Sequence, residues 1–297
     1  MTFFTLEKKS SASKARAGTL RTAHAEIQTP VFMPVGTAGA VKAVSPREVE
    51  STGARIILGN TYHLYLRPGC DLIAQAGGLH RFINWPHAML TDSGGFQVWS
   101  LETLRKVSEN GVEFRSHLDG SKHLFTPESV MEAQRKLGAD IFMAFDECTP
   151  YPATKEEAAK SLALTKLWHE RAVRWLTDHP ELHGYPQYFF GIAQGGMHEE
   201  LRAEAIEHIA GLELPGYALG GLSVGEPAEE MYRIADYATN LMPAGKPRYV
   251  MGVGTPANLL ELISRGVDMF DCVLPTRAAR HGRSEEHTSE LQSRGLI

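Results

Sequence analysis

Cysteine is scarce in this chain: three occur in 297 residues, Cys70, Cys148 and Cys272. They are widely separated and never form a CxxC pair, which excludes both a disulfide framework and a complete zinc site built from these residues. Long apolar runs are missing too. No stretch approaches the ~20 residues that a membrane helix needs, and the N-terminus Met1-Thr2-Phe3-Phe4-Thr5 lacks the charged-then-apolar pattern of a signal peptide. A soluble, cytoplasmic protein with no membrane partner is the expectation. An excess of basic charge is also absent. The chain carries 30 Lys and Arg against 35 Asp and Glu, a net charge of -5, so the global footprint of a nucleic-acid binder is not there. Any RNA contact has to come from a local patch. Arg277, Arg280, His281 and Arg283, with Lys246 and Arg248 upstream, form one candidate, and a solvated charged face is the plain alternative.

What is present is enough apolar material for one large core, since 43% of the residues are hydrophobic and 22% charged. An α/β barrel of about 250 residues fits such a length as a single main domain. Short apolar segments at 31–35, 55–58, 88–90, 141–145, 188–193, 217–219, 249–251 and 269–274 are each followed by a Gly-rich or polar tip and a longer amphipathic stretch. Eight strands alternating with helices predict a (β/α)8 TIM barrel. Ser45-Pro46-Arg47-Glu48 and Thr154-Lys155-Glu156-Glu157 are capping boxes, and Thr126-Pro127 and Thr255-Pro256 are cap-plus-proline helix starts. Ala158, Leu162, Thr165, Trp168, Ala172 and Trp175 recur every three or four residues, so both tryptophans read as core. The first ~25 residues read as a small hairpin under the barrel.

After the eighth strand a closing helix is required, but residues 284–294 have almost no apolar face to dock. The run from Arg283 onward resembles translated sequencing-adapter read-through. The expected division is residues 1–282 as the barrel, incomplete at its C-terminal end, and 283–297 as a non-native tail.

In a barrel of this kind the reacting groups sit at the C-terminal ends of the strands. The unusual residues concentrate there: Asp92-Ser93-Gly94-Gly95-Phe96-Gln97, Asp146-Glu147-Cys148, Gln194-Gly195-Gly196, residues 220–226, residues 251–256, and Asp271 inside an apolar strand. An ionised Asp271 among Met269, Phe270, Cys272 and Val273 is costly without a function or a partner, so a hydrogen-bonded structural aspartate is the alternative. Asp92 before Ser-Gly-Gly reads equally as a turn cap. Phe96 and Met251 read equally as rim packing. Asn60-Thr61-Tyr62-His63-Leu64 is one more polar tip, with its role open.

DSGGFQV, FDECTP, GIAQGG, GGLSVGE, MGVGTP and MFDCVLPTR, in this order, resemble the motif series of the bacterial tRNA-guanine transglycosylases from roughly Phe4 to His281. The resemblance implies exchange of guanine at the anticodon wobble position of tRNA for 7-aminomethyl-7-deazaguanine, a step in queuosine biosynthesis. It implies Asp271 as the nucleophile that traps the ribose as a covalent ester, and Asp92 as the acceptor of a proton from the incoming base. Asp146 would accept from the guanine N1-H and 2-amino group, while Gln194 and the Gly221 N–H would donate to its six-oxo group. Gly220 and Gly221 let the main chain approach the ring. Phe96 and Met251 would sandwich the base beside Ser93, Gly94 and Gly95, and the Leu222 carbonyl would take the aminomethyl arm. RNA contacts are implied at Gly252, Val253, Gly254, Thr255, Pro256, Ala257 and Asn258, where a helix start suits phosphate, and at Thr276, Arg277, Ala278, Ala279 and Arg280. Glu226 reads as a helix-start residue as readily as an RNA contact.

The family also carries a CxCxxC…H zinc module and a final helix beyond strand eight, and none of those ligands occurs here. Structural zinc is thus implied by the resemblance while no residue of this chain is assigned to a metal. A homodimer is implied for the full-length protein. Two other classes compete. An unrelated barrel hydrolase with two carboxylates would use water and have no need of Gln194 or the Gly220-Gly221 opening. A non-catalytic tRNA-binding subunit would lack the nucleophile, and the presence of Asp271 and Asp92 counts against it.

Overall fold

A computed structural model of the chain describes residues 2–99 and 105–282. Eight parallel strands form the central sheet: β4 (Val31–Pro34), β5 (Ile56–Gly59), β6 (Ala88–Thr91), β10 (Ile141–Met143), β11 (Tyr188–Ala193), β12 (Gly216–Leu219), β13 (Arg248–Val250) and β14 (Met269–Cys272). They are ordered β4-β14-β13-β12-β11-β10-β6-β5, and a parallel bridge between Val35 and Leu58 joins the two ends. The sheet therefore curls into the (β/α)8 barrel that the strand rhythm predicts. β5, β6, β10, β12 and β13 are buried along their whole length, as strands covered on both faces must be.

The helices begin where their caps predict. Ser45 and Thr154 form reciprocal capping boxes with Glu48 and Glu157, starting α1 (Pro46–Ser51) and α7 (Lys155–Asp178). Thr126 and Thr255 cap α6 (Pro127–Leu137) and α10 (Pro256–Ser264), each with proline in the first turn. Along α7 the predicted stripe faces inward, and Trp168 is fully buried against Phe145 with ring centroids 4.7 Å apart. α8 (Glu199–Gly211) and α9 (Ala228–Leu241) follow β11 and β12.

Two regions depart from the expectation. The expected N-terminal hairpin forms from β1 (Phe4–Lys9) and β2 (Arg16–Arg21), and beyond it β3 (Glu26–Thr29) extends it into a three-stranded antiparallel sheet. The third strand forms because Ile27 and Thr29 alternate with exposed Glu26 and Gln28, which lets Ile27 join Phe4 and Leu20 in the core. This sheet does sit under the barrel. Phe3 stacks on Tyr188 at the start of β11, and Arg16 pairs with Asp268 just before β14. The second departure is an inserted antiparallel sheet, β7 (Arg105–Ser108), β8 (Gly111–Arg115) and β9 (Lys122–Phe125), between the tip of β6 and α6. Its strands are short and mostly charged on one face, while Val112, Phe114 and Phe125 on the other join the main core. A 7-residue helix, α11 (Leu274–Arg280), follows β14, and the tail reading of 283–297 lies outside the described residues.

Candidate active site

The six strand tips that stand out in the sequence converge on one cavity of about 400 Å³ at the C-terminal end of the barrel. Asp92, Ser93, Gly94, Gly95, Phe96, Asp146, Gln194, Gly220, Gly221, Leu222, Met251, Gly252 and Asp271 all line it. The other residues expected at RNA surround it unevenly. Val253, Gly254 and Ala278 are buried, whereas Pro256, Ala257, Arg277, Ala279 and Arg280 are exposed and Thr255, Asn258 and Thr276 lie between. Part of the donor set there is already engaged. The Gly252 N–H donates to Asp271, and the Asn258 N–H donates to the Thr255 hydroxyl. Glu226 accepts from the Ser223 and Val224 N–H groups, so it shapes the tip before α9.

Asp271 is reached by two donors, the Tyr249 hydroxyl at 2.5 Å and the Gly252 N–H at 2.8 Å. Both land on Oδ1. The side chain is partly buried beside the cavity, and burial raises its carboxyl above the ordinary range, with these two hydrogen bonds pulling the other way. An aspartate held through one oxygen presents the other for chemistry.

Asp92 is held more firmly. Asn60 and Gln97 donate to Oδ2, and the N–H groups of Thr61 and Gly94 donate to Oδ1. Burial pushes its carboxyl up to about 6, the hydrogen bonds from Asn60, Thr61 and Gln97 oppose this, and the nearby Asp271 adds to the rise. The open question at Asn60-Thr61 is thereby answered: α2 (Thr61–Leu66) begins there, and this tip orients Asp92. Sequence reading missed the link because the partners are 31 and 32 residues apart.

Asp146 is also raised to about 6, by burial first, against a hydrogen bond from Gln194 and with Asp92 and Glu147 reinforcing the rise. The Gln194 amide nitrogen donates to Asp146 at 2.6 Å, and its amide oxygen is buried without a hydrogen-bond partner among the described residues. Gly220 and Gly221 are required by this arrangement. A Cβ at Gly220 would lie 2.6 Å from the Gln194 nitrogen, and one at Gly221 would lie 2.5 Å from its oxygen, with φ +63° at Gly221 disfavouring any side chain further.

The residues present do not fit a structural zinc. Cys70 and Cys148 are buried, burial pushes both thiols up to about 12, and no cysteine belongs to a group of converging ligands among the described residues. His24, His80 and Asp140 do converge, but before β10, at the opposite end of the barrel. There Asp140 accepts from both histidines at 2.8 and 2.9 Å and from the Met89 N–H at 3.0 Å, which pins the N-terminal sheet.

A closed parallel barrel whose strand tips bring three aspartates to one cavity, none in an ion pair among the described residues, has the layout of a barrel enzyme with a carboxylate-lined site. The family described as Queuine tRNA-ribosyltransferase matches residues 10–292. A protein of that name from Caldanaerobacter subterraneus is 58% identical over 275 residues, 93% of this chain and 72% of the relative. Those from Ruminiclostridium cellulolyticum and Desulforamulus reducens are 58% and 55% identical, covering 94% and 97% of this chain and 74% and 76% of theirs. This chain belongs to the queuine tRNA-ribosyltransferase family.

Proposed function

We propose that this pentosyltransferase replaces guanine at the anticodon wobble position of tRNA with 7-aminomethyl-7-deazaguanine, by double displacement. Asp271 attacks the ribose C1′, the C1′–N9 bond to guanine breaks, and a ribosyl ester remains on the carboxylate. Asp92 supplies the proton that the departing guanine N9 takes up and accepts the one that the incoming base loses. A carboxyl near 6 is suited to both roles at neutral pH. The incoming base then displaces Asp271 from C1′. The observation that carries this reading is the shared cavity. Asp271 is held there through a single oxygen and Asp92 is close enough to feel its charge.

Asp146 recognises the base and breaks no bond. In the state described its partner is the Gln194 amide, so base entry requires that amide to turn, bringing its nitrogen to the six-oxo group and freeing Asp146 for N1-H and the 2-amino group. Phe96, half exposed, and Met251 stack on the ring, the Leu222 carbonyl takes the aminomethyl arm, and the tips at 252–258 and 276–280 meet the RNA. Residues 1–282 form the catalytic barrel and 283–297 are dispensable to it. No helix among the described residues is long and apolar enough to cross a membrane. Cytoplasmic residence and a homodimer belong to the same reading. The zinc that the family resemblance implies would need ligands beyond Cys70, Cys148 and Cys272, and it enters no step here.

Denaturing electrophoresis tests the proposal. Incubation with tRNA and a slow base analogue is expected to give a denaturation-resistant protein–RNA adduct that Asp271→Asn lacks. An adduct that survives in the Asn variant assigns the nucleophile elsewhere.

A further inference from the structure

Arg202, on α8, is fully buried, and its partners among the described residues are main-chain carbonyls rather than carboxylates. Nε donates to Gly196 at 2.9 Å, Nη1 to Ala193 at 2.6 Å and to Gly220 at 2.8 Å, and Nη2 reaches Gly221 at 3.5 Å. Burying a cation with no ion pair is expensive, and an apolar side chain of the same volume would pack at far lower cost. The four carbonyls belong to just two strand tips, those after β11 and β12, and these tips carry the base-facing donors.

The geometry of the peptide bond shows what the clamp does. A trans peptide points its C=O and N–H in opposite directions. Holding the Gly220 carbonyl on the Arg202 side therefore turns the Gly221 N–H away from it, and both glycines line the cavity. A carbonyl that accepts from a cation is also polarised, which makes the N–H of the same peptide a stronger donor. Gln194 lies between two of the clamped carbonyls, those of Ala193 and Gly196, so the same guanidinium fixes the backbone that carries the second donor. We propose that Arg202 is a positioning residue for base recognition: from behind the cavity it aims the Gly221 N–H and Gln194 at a six-oxo acceptor. It touches neither base nor RNA. This rests on the function proposed above and adds the residue that builds the specificity of its site.

The experiment compares Arg202→Lys and Arg202→Met with wild type in exchange of labelled guanine into tRNA, with 2-aminopurine, which lacks the six-oxo group, as competing inhibitor. The readout is the KM of guanine relative to the inhibition constant of 2-aminopurine, a ratio that does not depend on how much of a preparation is folded. Wild type is expected to favour guanine, Arg202→Met to shrink that preference by about tenfold or more, and Arg202→Lys to fall between, because an ammonium cannot span four carbonyls. The KM for tRNA is expected to stay within about twofold. Millimolar guanidinium chloride added to Arg202→Ala is expected to restore part of the preference where sodium chloride of equal ionic strength does not. An unchanged preference in Arg202→Lys, or base and tRNA constants moving together, overturns the assignment. Absence of guanine exchange in wild type would instead overturn the proposed function itself.

Discussion

The two ends of the barrel solve the same problem in opposite ways. At the end where strands begin, buried aspartates are tied to basic side chains. Asp268 is held by Arg16 through Nε and Nη2 and also accepts the Arg248 N–H, and Asp140 accepts from His24 and His80. Burial acts to raise the Asp140 carboxyl, but the histidine hydrogen bonds prevail and hold it at about 2. At the end where strands finish, Asp92 and Asp146 receive neutral donors and rise to about 6. Residue type and burial match at the two ends and the partners differ. Ties from Asp268 to Arg16 and from Asp140 to two histidines lock the structure, although burial still leaves the Asp268 carboxyl above its ordinary range against the pull of Arg16, whereas Asp92 and Asp146 meet only neutral donors and stay open to a proton or a donor from a ligand.

The largest expected effect tests the locked end. Asp268→Asn leaves Arg16 buried without its countercharge, and urea unfolding is expected to show a loss of about 3–5 kcal/mol. Asp146→Ala, at the other end, is expected to keep most of its stability while the base KM rises roughly 10- to 100-fold, since each lost pairing to the base costs about 1–3 kcal/mol. If the two substitutions destabilise alike, the contrast between the ends fails.

pH sharpens the comparison with smaller effects. Between about pH 4, the ordinary carboxyl value, and pH 6, the folded protein holds more protons on Asp92 and Asp146 than the unfolded chain does. Their contribution to stability therefore falls as pH rises through that window and is least favourable above it. Asp140, held at about 2, acts in the opposite sense: its contribution is complete above about pH 4 and is lost as pH falls toward 2. Urea melts from about pH 2 to about pH 8 should show Asp146→Asn flattening the decline between about pH 4 and 6, and Asp140→Asn flattening the loss below about pH 4; slopes that stay as in wild type would contradict the assignment. The smallest effect belongs to the C-terminus. Deleting residues 283–297 is expected to leave the melting temperature and base KM unchanged, and a clear loss of either would make that segment part of the domain.

Much of this was legible from the residue order. Strand spacing, capping boxes and glycine-rich tips are local signals, so the eight barrel strands and the starts of α1, α6, α7 and α10 follow from neighbouring residues alone. Asp271 stood out as an acid in an apolar strand, and Asp92, Asp146 and Gln194 as polar residues at strand ends. The inserted sheet at 105–125 and the third N-terminal strand were missed because each is short and gains its burial from contacts distant in sequence.

Arg202 marks the boundary between the two kinds of information. Among Glu199, Glu200, Glu204 and Glu207 it reads as one more charge on a solvated helix. The sequence by itself determined which residues could form a barrel and which acids would stand at its mouth, because periodicity and capping act over a few residues. Only the tertiary structure decided that Asn60 and Thr61 hold Asp92, that Tyr249 holds Asp271, and that Arg202 turns inward to four carbonyls. A buried polar group must find its partners wherever the closed barrel brings them, at sequence separations that no local pattern encodes.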